Sequence, residues 1–170
     1  MSLDRLWAGW RTTYIDHATK DPSVLQPDSS GRSLFERILD LPDDEGFVLW
    51  RGHRCAALLN AYPYGTGHLM VLPQRAVGQL EELDREESAE LWSTVTAGVR
   101  AVKAAYHPDG VNVGANLGEA AGAGVPDHLH IHVLPRWAAD SNFMTAIAET
   151  RVLPEPLDET WRKLREVWVP

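Results

Sequence analysis

Three histidines occupy alternate positions in the stretch His128-Leu129-His130-Ile131-His132-Val133-Leu134. A period of two is that of a β-strand, so the three imidazoles share one face, roughly 6–7 Å apart at ~3.3 Å of rise per residue. Leu129, Ile131 and Val133 point the other way, toward a core. A fixed row of imidazoles can supply a nucleophile, a hydrogen-bond donor and a proton relay near neutral pH. The same row could instead ligate zinc or copper, with two histidines and a third ligand from Asp127, Glu119 or His68. Just upstream, the small residues Gly118 to Gly124 let backbone N–H groups approach an anion closely. Asn116 can donate an amide hydrogen bond to a phosphoryl oxygen. Taken alone, this loop reads as a flexible hairpin connection; beside the histidines it favours phosphate chemistry.

Secondary elements must hold this row in place. Leu3, Leu6, Trp7, Trp10 and Tyr14 recur at helical spacing behind Ser2, which predicts a short amphipathic helix over 3–15. Pro22, Pro27 and Gly31 then mark a loop. A short helix follows over 34–39, and three strands over 46–50, 55–61 and 68–73, whose tight turns favour antiparallel pairing. Asp84 and Glu87 form a capping box for a long helix over 85–106, with an apolar stripe through Leu91, Trp92, Val95, Val99, Val102 and Tyr106. His107-Pro108-Asp109-Gly110 ends it. Residues 111–117 and 128–135 alternate as strands, and 155–169 reads as an amphipathic helix through Leu157, Trp161, Leu164 and Trp168. This order implies an α+β fold with an antiparallel sheet of about five strands and a long helix across it.

With 170 residues, the chain fits one domain. Its expected parts are an N-terminal helix and loop (1–33), a core (34–137) and a helical tail (138–170). The net charge of -8 argues against a broad surface for polymeric nucleic acid, but leaves room for a local anion pocket. The single cysteine, Cys55, excludes an internal disulfide and a multi-cysteine zinc site. No apolar run approaches the ~20 residues of a membrane span, and the first residues are no signal peptide, so a cytoplasmic protein is expected.

The motif His-Leu-His-Ile-His-Val-Leu resembles the signature of the histidine-triad (HIT) superfamily. The likeness extends through Asn60, Gly67-His68-Leu69-Met70-Val71-Leu72-Pro73, Asn112-Val113-Gly114-Ala115-Asn116 and Pro135-Arg136-Trp137. Within that superfamily the chain looks most like the bacterial diadenosine-polyphosphate hydrolases and phosphorylases, a likeness that Leu6-Trp7 and Phe143 support. His132 argues against the uridylyltransferase branch, which would carry Gln there.

The resemblance implies a HIT-like fold, a homodimer with joined sheets, and cleavage of a dinucleoside polyphosphate, with adenine as base and diadenosine tetraphosphate the favoured substrate. It implies that His130 attacks the α-phosphorus, His132 binds a non-bridging oxygen, and His128 with His68 orients and protonates the leaving group. Asn60 would hold the ribose; Asn116, Gly122, Ala123 and Gly124 would face phosphate; Phe35, Ile38 and Leu59 would enclose the base. Trp137 is a candidate stacking platform for the far end of the substrate, or a packing residue. No cofactor is implied beyond a divalent cation accompanying the polyphosphate. Ser33-Leu34-Phe35-Glu36 replaces a Cys-x-x-Cys pair that binds structural zinc in many relatives, so that zinc is not expected. Gly124 stands where relatives carry Ser or Thr, which shifts phosphate contact to backbone amides. The alternatives are a nucleoside phosphoramidase of the same superfamily and a non-catalytic nucleotide-sensing module.

Overall fold

The computed structural model describes residues 25–138, 140 and 155–170, together with the backbone pairing of 5–6 and 151–152. In chain order the elements are β1 (Arg5–Leu6), α1 (Leu34–Leu39), β2 (Val48–Arg51), β3 (Cys55–Leu59), β4 (Leu69–Pro73), α2 (Arg85–Tyr106), β5 (Gly110–Gly114), β6 (Ile131–Arg136), β7 (Arg151–Val152) and α3 (Leu157–Glu166). Strands β2-β3-β4-β6-β5 form one antiparallel sheet in that order.

The period of two decides what each sheet face does. Cys55, Ala57, Leu59, Leu69, Val71, Leu129, Ile131 and Val133 pack into one core with Leu91, Val95 and Val102 of α2 and Leu157 and Leu164 of α3. The intervening residues Val48, Leu58, Met70 and Leu72 form a second, smaller cluster with Phe35 of α1 and Val125. The second face carries the histidines. Fully burying a Leu or Val side chain contributes about 1.5–3 kcal/mol, so the larger core anchors the sheet against α2.

Helix α2 begins at Asp84, whose Oδ1 accepts from Glu86 N and Glu87 N at 2.9 and 2.8 Å. Glu87 Oε2 accepts from Asp84 N in return at 2.9 Å, completing the expected capping box. Arg75, just past β4, grips the same carboxylate in bidentate fashion at 2.5 and 2.7 Å. The helix stops at His107, which adopts the left-handed conformation (φ 46°). Across the C-terminal end, Tyr106 Oη and Thr160 Oγ1 both donate to Glu155 Oε1, at 2.6 and 2.8 Å, tying α2 to α3. Trp161 Nε1 donates to Val48 O at 2.9 Å.

Three expectations need correction. Arg5 and Leu6 belong to a strand, β1, paired in parallel with β7, and not to a helix. A short helix is marginal without packing, so backbone pairing can override a local stripe. Trp7, Trp10 and Tyr14 lie outside the described residues, as does Phe143. The strand expected over 111–117 ends at Gly114, opposite His132, and the chain then turns away so that Asn116 Nδ2 donates to Gly122 O at 3.3 Å. The strand expected from 128 begins at Ile131. Continuing the register of Val71 opposite Ile131 would put Leu129 opposite Pro73. Leu129 N donates instead to Val77 O at 2.6 Å, which lifts 128–130 off the ladder. Among the described residues no helix is long and apolar enough to cross a membrane.

Arg75, with the backbone amide of Asp84, holds the Glu87 carboxyl down at about 2 against the burial that would raise it. A depressed carboxylate stabilises the fold fully above its unfolded value of 4.5 and progressively less as pH falls from there through about 2. Glu87→Gln should therefore lower unfolding stability at pH 7 by about 2–3 kcal/mol and flatten its pH dependence below 4.5. Urea titrations of both proteins between pH 7 and pH 3 check this; parallel pH curves would contradict it.

Candidate active site

A cavity of about 360 Å³ opens on the histidine face of the sheet. Strand register assembles it. Leu59 pairs with Leu69, so Asn60 and His68, eight residues apart in sequence, meet at the next position, with Asn60 N donating to His68 O at 3.0 Å. Met70 lies opposite His132, placing β4 and β6 side chains on the same floor. Gly67 has φ +76°, and a Cβ there would meet Pro135 and Tyr106 at 3.0 Å, so the turn into His68 requires glycine.

The protons on the four imidazoles follow from their partners, because a carbonyl can only accept and a backbone N–H can only donate. Tyr64 N donates to His68 Nδ1 at 3.0 Å, so the His68 proton is on Nε2. That Nε2–H faces His132 Nδ1 at 2.9 Å, which must accept. His132 therefore carries its proton on Nε2, which is buried and has no hydrogen-bond partner among the described residues. His130 Nδ1 donates to the His128 carbonyl at 2.8 Å, leaving a bare lone pair on His130 Nε2. The His130 and His132 rings meet edge to face with centroids 5.0 Å apart. Both line the cavity. One thus offers a lone pair and the other an N–H.

Burial keeps these rings neutral. Desolvation lowers the pKa of His130 against the small opposing effect of the His128 carbonyl. Desolvation and then the neighbouring His130 take His132 down to about 4. Near neutral pH the Nε2 lone pair of His130 is therefore unprotonated and available, the state a nucleophilic imidazole needs.

His128 occupies a different environment. It is 0% exposed, its Nε2 is 2.7 Å from Pro73 O and its Nδ1 is 2.6 Å from Ser33 Oγ. Both ring nitrogens are engaged, and His128 does not line the cavity. The structure therefore pairs His68 with His132, not with His128 as the sequence implied. A buried ring with two internal partners is placed to hold other groups in position.

Phe35, Ile38 and Leu59 line the cavity as expected, and so do Asn60, Asn116, Gly122 and Gly124. Asn60 Oδ1 accepts from Tyr62 N at 2.8 Å, and its amide nitrogen lies 3.4 Å from His68 Nδ1. Ala123 does not line the cavity. Trp137 does not line the cavity and meets Tyr106 edge to face, centroids 6.4 Å apart. Sequence reasoning missed Met70, Phe47 and Tyr64 as cavity residues. Met70 was accessible, because it is two positions from His68 on a strand of period two. Phe47 adopts a left-handed φ of 49° that no local residue signals. Tyr64 tilts over His68, centroids 4.6 Å apart, after an irregular turn.

Asp127 and Glu119 do not join the histidines: among the described residues no group of three or more His, Cys, Asp or Glu side chains could hold a metal ion. Nor do Ser33 and Glu36 fit a structural zinc. The Ser33 hydroxyl engages His128, and the Glu36 carboxylate accepts from Ser33 N and Ala76 N at 2.8 and 3.2 Å.

The HIT domain family model matches residues 43–139. An AP-4-A phosphorylase from Mycobacterium tuberculosis is 44% identical over 168 residues, covering 98% of this chain and 85% of that protein. An asymmetrical bis(5'-nucleosyl)-tetraphosphatase from Schizosaccharomyces pombe is 36% identical over 93 residues, or 55% of this chain and 50% of that one. Among solved structures, a Zn-bound histidine triad family protein from Mycobacterium smegmatis aligns with a TM-score of 0.62 at 26% identity, over 78% of this chain and 89% of its own. With the histidine row, the five-stranded sheet and these likenesses in agreement, the chain belongs to the HIT domain family.

Proposed function

We propose that this protein cleaves a phosphoanhydride bond of a dinucleoside polyphosphate, with diadenosine tetraphosphate the favoured substrate. The observation that carries the reading is the pairing of a bare His130 Nε2 with an unsatisfied His132 Nε2–H in one cavity. In the first step His130 Nε2 attacks the α-phosphorus, a P–N bond forms, and the bond from that phosphorus to the bridging oxygen breaks. ATP leaves as a stable anion, so no strong general acid is required. The His128 carbonyl, still accepting from Nδ1–H, stabilises the positive charge that develops on the ring. The His132 N–H binds a non-bridging oxygen, and the His68 N–H holds His132 in the tautomer that can do so. In the second step an acceptor oxygen attacks the same phosphorus, the P–N bond breaks, and His130 is restored.

The apolar wall around Phe35 and Ile38 suits an adenine, Asn60 a ribose hydroxyl, and the 116–124 loop the phosphates. Inorganic phosphate is the favoured acceptor, a choice supported by the similarity to the mycobacterial AP-4-A phosphorylase along nearly the whole chain. A divalent cation would arrive with the substrate's phosphates. A cytoplasmic setting is the reading consistent with a chain that carries a lone cysteine. The assembly that suits the fold is a homodimer through β5, an edge strand of the sheet that exposes 43% of Val113.

Product analysis tests the reaction. With phosphate, diadenosine tetraphosphate should give ADP plus ATP; without it, turnover should nearly cease. AMP plus ATP in water alone would assign an asymmetric hydrolase, and no cleavage in either case would refute the reading. His130→Asn should lower kcat by about 10³-fold or more. Light scattering tests the dimer: wild type should give twice the chain mass and Val113→Lys the monomer mass, whereas a monomeric wild type would exclude it.

A further inference from the structure

We propose that Ser33 is a positioning residue for this reaction, its hydroxyl proton fixing the His128 ring and, through the His128 carbonyl, the proton on His130 Nδ1. The inference rests on the reading of His130 as nucleophile. Ser33 is 95 residues from His128 in sequence, yet its Oγ lies 2.6 Å from His128 Nδ1, and both residues are buried.

The direction of this bond follows from the far end of the ring. Pro73 O accepts from His128 Nε2 at 2.7 Å, so the proton of the neutral imidazole is on Nε2 and Nδ1 is bare. Only the Ser33 hydroxyl can then be the donor. The same oxygen accepts from Glu36 N at 3.2 Å, capping α1, so its one proton and a lone pair are used in complementary directions. The Ser33 backbone is anchored as well, because its N–H donates to Glu36 Oε2 at 2.8 Å. Phe35, two residues on, packs its ring against both His128 and His130, centroids 5.3 and 5.1 Å apart.

The effect on chemistry is indirect. Segment 128–130 has left the strand ladder, so ladder hydrogen bonds do not set the position of the His128 carbonyl. The Leu129 N–Val77 O bond orients the planar peptide that carries it, and the doubly held His128 ring fixes the Cα end of that peptide, with the oxygen 2.8 Å from His130 Nδ1. Removing the Ser33 proton leaves the ring held only at Nε2 by Pro73 O and frees it to tilt about that bond. The tilt shifts the His128 backbone relative to His130 Nδ1, the carbonyl holds that proton less firmly, and the Nε2 lone pair is lost part of the time.

Imidazole ¹⁵N–¹H correlation spectra of the full chain without substrate read the tautomers directly. Wild type should carry its proton on Nε2 of His128 and Nδ1 of His130, and Ser33→Thr should reproduce that pattern. Ser33→Ala should shift the signals of both rings and lower kcat by about 10- to 100-fold at nearly constant KM, as loss of a supporting hydrogen bond does elsewhere. Ser33→Gly separates the two roles of the side chain: glycine caps a helix almost as well but has no proton to give. It should therefore be more stable to heat than Ser33→Ala, both having lost the bond to His128, while matching Ser33→Ala in spectrum and kcat. A wild-type proton on His128 Nδ1 would overturn the proposal, as would a Ser33→Gly protein with unchanged spectra and kcat. Because the spectra involve no nucleotide, inactive wild type toward diadenosine tetraphosphate would sink the assigned reaction while leaving the tautomer test intact.

Discussion

A neutral imidazole has one proton and one lone pair, and the structure depends on which nitrogen holds which. At His130 the choice is made by a backbone carbonyl, that of His128, which can only accept. At His132 it is made two steps away by the amide of Tyr64, which can only donate, acting through His68. Two fixed backbone groups thus polarise two side chains in opposite senses where they meet the cavity. The arrangement requires neutral rings, and burial supplies that condition by disfavouring the charged form.

The surrounding fold serves this constraint. Antiparallel β4 and β6 bring His68 beside His132, while departure from the ladder at 128–130 frees a carbonyl to face a side chain. The vacated acceptor at Pro73 is taken by the His128 ring, so no carbonyl is stranded there. Among the described residues the buried His132 Nε2 has no hydrogen-bond partner from the protein, and an N–H left so costs about 1–3 kcal/mol. A phosphoryl oxygen at that position would accept from it. Helix α2 and the larger core on the opposite face of the sheet carry the stability that tolerates this.

Much of this was legible in the sequence, for reasons that differ by residue. The Asp84–Glu87 box and, apart from the exposed Trp92, the long stripe of α2 are local patterns whose physics is complete within a few residues, and the structure has them. The histidine alternation, by contrast, forms a strand only from Ile131 and puts His130 and His132, but not His128, in the cavity. The Asn60–His68 spacing encoded a hairpin register. Contacts that depend on distant closure were not legible. Ser33 on His128, the pairing of His68 with His132, and the packing of Trp137 on Tyr106 each join segments that no local period relates. The strand at Arg5–Leu6 is a case of the same kind, since its partner lies at Arg151–Val152. The tautomers were hidden for another reason: three similar histidines differ only in which backbone groups surround them.

The most direct test of the account is to locate the bond between enzyme and nucleotide. Wild-type protein with ¹⁵N-labelled histidine, mixed with diadenosine tetraphosphate without phosphate and quenched in alkali, would be analysed by ¹⁵N–³¹P correlation and peptide mass spectrometry. The account predicts an adenylyl group on Nε2 of His130 and on no other nitrogen. An adduct on His130 Nδ1, or on His128, His132 or His68, would contradict it.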